Sequence, residues 1–263
     1  MVESRSTFAS RKRPSFGAWC VIPGGFTAQI LAHAGFDWLC IDMQHGLIGY
    51  TEMRAMVQAV RFTGVPVLVR VSANGDGEIM RALDLGADGV IVPLVNTAAE
   101  AEAAVGACRY PPAGIRSWGP SGASIGRESF TTEAANRDVV CLVMIETRQG
   151  VANADEIAAV AGLDGVYVGP NDLGLSLGLP PLLIDHGPLL TEAIGGVAEV
   201  CQRHGVVAGI AVYEPDAAAA VEKWQAFGYT LFGLPSDSLL LRRAADGLVE
   251  SLPTRQPADT RAE

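Results

Sequence analysis

Lysine is almost missing from this chain. Among the 19 basic residues of a 263-residue sequence, the lysines are Lys12 and Lys223 alone. Lys12 lies in a polar amino-terminal stretch, and Lys223 lies in a segment with a helical pattern. An enzyme that forms a Schiff base needs a lysine amine in contact with its substrate. The sequence therefore argues against Schiff-base chemistry.

Basic charge and long apolar runs are also scarce. The formal net charge is −10, the isoelectric point is near 4.9, and the basic run at 11–13 lies in the polar amino-terminal stretch. This charge balance disfavours nucleic acid, so we expect no nucleic-acid partner. The longest apolar runs, at 89–95, 139–145 and 205–212, are under half the about 20 residues that cross a bilayer, so we expect no membrane span.

Cysteine occurs five times, at Cys20, Cys40, Cys108, Cys141 and Cys201, without a C-x-x-C pair. The odd number and the missing pairs argue against a disulfide framework. We therefore expect buried thiols in a reducing compartment. The amino-terminal basic stretch is not followed by the apolar block of a secretory signal, which predicts a cytoplasmic location.

Apolar residues and glycine, in contrast, are abundant. The chain is 49% hydrophobic and has 30 glycines, and this composition can bury one large core. Short apolar segments alternate with helical patterns, which predicts a parallel sheet covered by helices. Eight such units predict an α/β fold, a (β/α)₈ TIM barrel; the alternative, a doubly wound open sheet, lacks a G-x-G-x-x-G after its first strand. The predicted strands are 17–22, 38–41, 67–71, 89–92, 139–145, 165–168, 207–211 and 230–233, and the predicted helices include 27–34, 50–62, 77–85, 97–108, 153–161, 189–204 and 216–227.

One barrel domain is predicted for residues 16–251. The polar ends predict a flexible leader over 1–15 and a flexible tail over 252–263. The segment 110–136 is too long and too rich in glycine, proline and serine for an ordinary connection. We interpret it as a lid or a subunit contact, with a passive surface loop as the alternative.

Two carboxylates follow neighbouring predicted strands. Glu146 ends strand five, and Asp172 comes just after strand six, at the edge where a barrel places its chemistry. Such a pair can share a divalent cation, and no histidine or cysteine is close in sequence to favour zinc. This pattern predicts Mg²⁺ or Mn²⁺ with several open positions. The alternative for Glu146 is an ion pair with Arg70 or Arg148.

A histidine and an arginine lie at the same edge. His45 follows strand two, three residues after Asp42, and Arg70 ends strand three. A carboxylate near an imidazole fixes its tautomer and favours a general base. A fixed guanidinium can hold an oxygen on which negative charge develops. Together with a metal, these groups suit the formation of an enolate, although a histidine in such a loop can also be purely structural.

Seven motifs follow in order along the chain, and together they resemble one family. They are IDMQHG (41–46), VPVLVRV (65–71), ALDLGADGVIVPLV (82–95), RYPPAGIRS (109–117), IET (145–147), the segment 153–178 and GIAV (209–212). This set is similar to the HpcH/HpaI family of metal-dependent 2-oxo-acid aldolases, over residues 17 to 240.

The resemblance implies a barrel of the phosphoenolpyruvate/pyruvate type. It implies cleavage and formation of 4-hydroxy-2-oxo acids, with pyruvate and an aldehyde as products, through a metal-bound pyruvate enolate. It also implies Mg²⁺ or Mn²⁺, with Co²⁺ as a further option, and a role in catabolism of aromatic compounds or sugar acids. The expected assembly is a homo-oligomer with exchanged carboxy-terminal helices, such as a hexamer built as a trimer of dimers.

Matched by motif, the family's metal ligands and catalytic residues fall on six positions, of which Arg70 also lies in the substrate pocket. Glu146 and Asp172 would be the metal ligands. His45 would be the catalytic base, and Asp42 and Asp84 would be acidic partners that keep it oriented and basic.

The resemblance also implies a substrate pocket. Arg70 would stabilise the enolate, and the backbone amides of Asn171 and Asp172 would hold the pyruvate carboxylate. The other expected pocket residues are Trp19, Met144 and Gly169.

Two positions depart from the family pattern. Gln44 stands where the motif usually carries glutamate, and Met144 stands where a polar residue is common. Both departures bear on the preferred aldehyde. The alternative enzymes are a citrate-lyase-β-like or malyl-CoA-type lyase, which would need basic residues for the CoA phosphates, and a third possibility is a non-catalytic barrel that binds an oxo acid.

Overall fold

The computed structural model describes residue 9 and residues 13–126, 129–180 and 187–253. Eight parallel strands close into a barrel in chain order, and β1 pairs with β8 to complete it. Helices lie between successive strands, so the predicted (β/α)₈ barrel is confirmed. The strands are β1 Ser15–Cys20, β2 Trp38–Asp42, β3 Val67–Arg70, β4 Gly89–Val92, β5 Val140–Ile145, β6 Gly165–Val168, β7 Val207–Ala211 and β8 Leu231–Leu234.

The first strand begins and ends two residues earlier than predicted, whereas the bounds of the other seven strands differ from the prediction by at most one residue. At its start, the Ser15 amide donates to the Thr230 carbonyl at 2.8 Å. At its end, the amides of Val21 and Ile22 donate to the carboxylate of Asp237 at 3.0 to 3.3 Å. Because this side chain takes the donors, the strand stops at Cys20.

Eleven helices occur in the described part of the chain. Four of them, α5, α6, α7 and α8, are short, with 7, 5, 5 and 7 residues. The last helix, α11, has 15 residues, of which Asp237 alone is buried. The helices are α1 Gly25–Ala32, α2 Tyr50–Val60, α3 Asp76–Asp84, α4 Ala98–Cys108, α5 Thr132–Asp138, α6 Arg148–Ala152, α7 Ala154–Ala158, α8 Pro170–Ser176, α9 Gly187–His204, α10 Ala217–Ala226 and α11 Asp237–Ser251.

Side chains alternate between the barrel interior and the layer beneath the helices. In the interior, large rings lie against glycines. A Cβ on Gly17 would overlap the ring of Trp38, and a Cβ on Gly233 would overlap the hydroxyl of Tyr167. Glycine at these positions therefore gives the two rings their space. The rest of the interior is filled mainly by Trp19, Cys40, Leu68, Ile91, Val140, Leu142, Met144, Val207, Ala211 and Leu231.

All five cysteines are buried free thiols, as predicted. Among the described residues, no helix is long and apolar enough to cross a membrane. The predicted leader and tail lie mostly outside the described residues. In the segment 110–136, residues 127 and 128 also lie outside them, and α5 begins within the segment at Thr132.

Candidate active site

Polar side chains meet at the carboxyl ends of the strands, where the barrel opens. Asp42 is the last residue of β2 and pairs in register with Arg70, the last residue of β3. Glu146 follows β5 directly, and Gly169 follows β6 directly. Since parallel strands end at one face of a barrel, these residues surround one opening. We call this face of the barrel the mouth.

Asp42 and Arg70 form a buried two-bond ion pair. The Nε of Arg70 donates to Oδ1 of Asp42 at 2.9 Å, and Nη2 donates to Oδ2 at 2.6 Å. Asp42 Oδ1 also accepts the backbone amides of Gln44 and His45 at 3.0 and 3.2 Å. Asp42 therefore orients the guanidinium and the loop after β2. Asp42 makes no hydrogen bond to the His45 imidazole among the described residues, and its role as an acidic partner of that ring stays a prediction.

The other side of Arg70 rests on aromatic rings. Its guanidinium carbon lies 4.6 Å from the ring centre of Trp19, and Trp19 packs edge-on against Tyr167 at 5.7 Å between ring centres. Burial alone would lower the pKa of Arg70, but the hydrogen bond and charge of Asp42 outweigh it and raise the pKa. Arg70 is thus a permanent cation held in one orientation.

Glu146 is a buried carboxylate with 1% exposure. Its Oε1 accepts the backbone amide of Leu94 at 2.8 Å. The alternative ion pairs are not formed, because Arg70 is bound to Asp42 and Nη2 of Arg148 donates to a carbonyl in the chain instead. Burial raises the pKa of Glu146 to about 7; the Leu94 amide opposes this, and the nearby charge of Asp172 adds to it.

Asp172 lies in the first turn of α8, which begins at Pro170 directly after Gly169. A Cβ on Gly169 would lie 2.8 Å from Oε2 of Glu146 and 3.1 Å from Cε of Met144. Glycine therefore lets the end of β6 approach Glu146 closely. This approach places Met144 and Gly169 beside the carboxylate of Glu146. Asn171 lies between Pro170 and Asp172 in the same turn.

The carboxylate pair fits a hard divalent cation. Glu146 has a buried oxygen edge facing Gly169, and its pKa responds to the negative charge of Asp172. Such a pair is costly unless a proton or a cation neutralises it. Both donors are carboxylate oxygens, and such ligands suit a hard cation with open positions. Within the described residues, no cluster of three or more histidine, cysteine, aspartate or glutamate side chains suited to a metal occurs.

His45 lies at the mouth with its ring exposed. Its backbone amide is fixed by Asp42, while its imidazole makes no hydrogen bond to the described residues. The loop therefore holds the backbone and leaves both ring nitrogens accessible to a substrate.

Asp84 is not brought to His45 within one chain. It is the last residue of α3, and a helix of a barrel runs back from the carboxyl ends of the strands to their amino ends. Asp84 consequently lies at the opposite end of the barrel, where its Oδ1 accepts Nη2 of Arg116 at 3.0 Å. Sequence order could not reveal this separation, since Asp84 lies in a motif that continues into β4.

Two site residues were not predicted from the sequence. Leu94 has a φ of 55°, a conformation that costs a leucine about 1 to 3 kcal/mol, and it supplies the amide that binds Glu146. Tyr213 follows β7 by two residues, and the charges of Arg70 and Asp172 act on its hydroxyl. Tyr213 could have been identified from the sequence by its position just after a strand. Nothing in the sequence marks Leu94 as a site residue.

The chain is similar over nearly its whole length to characterised proteins. A family model described as "HpcH/HpaI aldolase/citrate lyase" matches residues 22–240. The hydroxypyruvate/pyruvate aldolase of Rhizorhabdus wittichii is 41% identical over 198 residues, which are 75% of this chain and 79% of that protein. The 2-dehydro-3,6-dideoxy-6-sulfogluconate aldolase of Pseudomonas putida is 35% identical, over 94% of this chain and 95% of that protein.

Comparison with solved structures agrees with the sequence comparisons. The crystal structure of an HpcH/HpaI aldolase/citrate lyase family protein from Burkholderia cenocepacia superposes with a TM-score of 0.85 at 31% identity, covering 95% of this chain and 99% of that one. The residues matched by the family model include strands β2 to β8 and both predicted metal ligands. The chain therefore belongs to the HpcH/HpaI aldolase/citrate lyase family.

Proposed function

We propose that this protein is a metal-dependent aldolase that cleaves and forms 4-hydroxy-2-oxo acids, with pyruvate and an aldehyde as the partners. Membership of the family and the names of its relatives confirm the predicted class, a carbon–carbon lyase of the aldolase type. The observation that carries the specific proposal is the buried Glu146 beside Asp172, next to an arginine fixed on two sides.

Glu146 and Asp172 are the residues that would hold the cation. Mg²⁺ and Mn²⁺ suit their oxygen donors, and Co²⁺ is a further candidate. When bound, the cation supplies Lewis-acid polarisation of the substrate's carboxylate and 2-oxo oxygen. The backbone amides of Asn171 and Asp172, in the first turn of α8, would bind the carboxylate of the pyruvate half.

His45 and Arg70 would carry the proton and the charge. The exposed imidazole of His45 takes the proton of the 4-hydroxyl group as the bond between C3 and C4 breaks. The electron pair of that bond forms the enolate of pyruvate, and the aldehyde leaves. Arg70 donates to the enolate oxygen, and a preorganised donor of this kind is worth about 3 to 4 kcal/mol. The ring of Trp19 packs against the guanidinium of Arg70 and helps to hold it in place.

A homo-oligomer is part of the proposal. On α11, the apolar side chains of Leu241, Leu248 and Val249 are exposed on the single chain, and a helix with so little of its surface buried needs a further partner. A second copy of the chain fits this surface, and the resemblance points to a hexamer. Any pairing of Asp84 with His45 would then occur between copies. The cytoplasmic location stays a prediction.

The two alternative functions have less support. A lyase acting on a CoA thioester needs cations for the phosphates, but Arg70 is already engaged by Asp42 and the described lysine, Lys223, lies on α10 against the ring of Trp224. A barrel that only binds an oxo acid would not need His45, Arg70 and two carboxylates at one mouth.

Aldol addition tests the proposal directly. The protein is incubated with pyruvate, Mn²⁺ and a panel of aldehydes, and the 4-hydroxy-2-oxo acid products are measured by mass spectrometry. We expect products with Mn²⁺ and none with EDTA. Inactivation by borohydride in the presence of pyruvate would reveal a lysine adduct and would contradict the proposed mechanism.

A further inference from the structure

Tyr213 continues the inward-facing positions of β7. Val207 and Ala211 face the barrel interior, and Val212 faces the outer layer, where it is fully buried. Pairing with β8 persists beyond the end of the strand, because the Val212 amide donates to the Gly233 carbonyl at 2.8 Å. Alternation therefore directs the next side chain, that of Tyr213, toward the axis of the barrel at its mouth.

The backbone at Tyr213 is anchored to the next helix. The Tyr213 amide donates to Oε2 of Glu214 at 2.9 Å. Oε1 of the same carboxylate accepts Nε1 of Trp224 at 3.2 Å, and Trp224 is fully buried on α10. The loop thus presents Tyr213 from a fixed position, and the residue as a whole is 43% exposed.

The charged groups of the site act electrostatically on the hydroxyl of Tyr213. Partial burial raises its pKa; Arg70 opposes the shift, and Asp172, Asp42 and Glu146 add to it. The phenol is therefore neutral at physiological pH, and it can both donate and accept a hydrogen bond.

The depth of these groups separates two parts of the substrate. Glu146 and Arg70, which would act on the pyruvate half, are 1% and 6% exposed, whereas Tyr213 is 43% exposed at the rim. A substrate whose pyruvate half lies against the buried groups extends its aldehyde half outward, past Tyr213.

We propose, on the basis of the proposed function, that Tyr213 is a specificity-determining residue whose hydroxyl hydrogen-bonds to an oxygen substituent of the aldehyde. The site would then favour hydroxylated aldehydes over apolar ones of the same size. A site built to bond a substrate hydroxyl discriminates against the analogue that lacks it, since the polar group of the site is left unpaired.

The test compares glycolaldehyde with propionaldehyde, which differ by a hydroxyl in place of a methyl group. For each, kcat/KM of addition to pyruvate is measured with Mn²⁺ in the wild type and in Tyr213→Phe. In the variant, we expect the ratio of kcat/KM for glycolaldehyde to kcat/KM for propionaldehyde to fall about 3- to 10-fold. A change of this size corresponds to the loss of one neutral hydrogen bond. Tyr229→Phe is the control, because its hydroxyl donates to the Ile194 carbonyl away from the mouth, and it should keep the wild-type ratio.

A second measurement distinguishes the role of Tyr213 from the aldolase activity on which it rests. Exchange of the pyruvate methyl protons with solvent deuterium is followed in the wild type in the same samples. An unchanged ratio in Tyr213→Phe, with exchange present, overturns the role of Tyr213 and leaves the aldolase proposal standing. Loss of exchange in the wild type with Mn²⁺ overturns both.

Discussion

Among single residues, Glu146 is a carboxylate whose charge is costly at the mouth. Its carboxylate is buried, accepts one backbone amide and has no cationic partner in hydrogen-bond contact among the described residues. Arg70, the nearest candidate, is held by Asp42. Without a cation the carboxylate therefore retains its proton to higher pH than an ordinary glutamate, with a pKa of about 7.

This cost predicts a pH-dependent stability of the metal-free protein. The pKa of Glu146 is raised from 4.5 to about 7 in the folded state, so its contribution is fully present below 4.5 and is lost as pH rises through 7. In EDTA at pH 8, the free energy of unfolding of Glu146→Gln should exceed that of the wild type by up to roughly 3 kcal/mol. At pH 4.5 the two proteins should differ little. Urea unfolding at both pH values measures this.

The control for that measurement is Glu222→Gln, which changes an exposed glutamate of α10. It should shift the free energy of unfolding little at either pH. A Glu146→Gln variant less stable than the wild type at pH 8 would contradict the assigned electrostatic cost.

At the scale of elements, the junction of β6 with α8 brings the two carboxylates together. Gly169 allows this approach, since a Cβ there would lie 2.8 Å from Oε2 of Glu146. Asp172 then follows in the first turn of α8. The metal site thus depends on a backbone position as well as on its ligands.

Gly169→Ala is therefore expected to weaken metal binding while the barrel stays folded. The added methyl displaces Glu146 or the start of α8, and we expect at least about a 10-fold loss of Mn²⁺ affinity, as for other groups that support metal ligands. Titration of Mn²⁺ by calorimetry measures it. Gly77→Ala in α3 is the matched control, because a Cβ there meets nothing within 4 Å; an equal affinity in the two variants would show that Gly169 has no such role.

Most elements could be predicted because apolar periodicity and glycine mark them locally. The end of β1 could not, since Asp237, the residue that binds the amides after it, lies 216 residues from Val21. The bounds of α11 were not predicted from periodicity, because only Asp237 of its residues is buried in the single chain; the resemblance alone implied carboxy-terminal helices. At the site, position after a strand identified Glu146 and Arg70, whereas the pairing of Arg70 with Asp42 depends on strand register.

For the whole molecule, the exposed helix α11 and the position of Asp84 both favour association of several copies of the chain. The helix exposes Leu241 and Leu248 on the single chain, and Asp84 lies at the end of the barrel away from His45. A second copy would account for the exposed helix. It would also be the means of bringing an acidic partner to His45.

Assembly predicts that Leu248→Asp lowers the oligomer mass while far-ultraviolet circular dichroism stays that of a folded barrel. Burying a charge in an apolar contact between copies is costly. Light scattering coupled to size exclusion measures the mass, and Lys223→Asp, on exposed α10, is the control. A monomeric wild type would refute the assembly.

Glu146 and Asp172 are proposed to hold a divalent cation that is needed to form the pyruvate enolate. Deuterium incorporation at the methyl group of pyruvate, without any aldehyde, reports this step alone. We predict exchange in the wild type with Mn²⁺, none in EDTA, and loss in Asp172→Asn even at Mn²⁺ concentrations that saturate the wild type. Exchange that persists at the wild-type rate in EDTA or in Asp172→Asn would contradict the account.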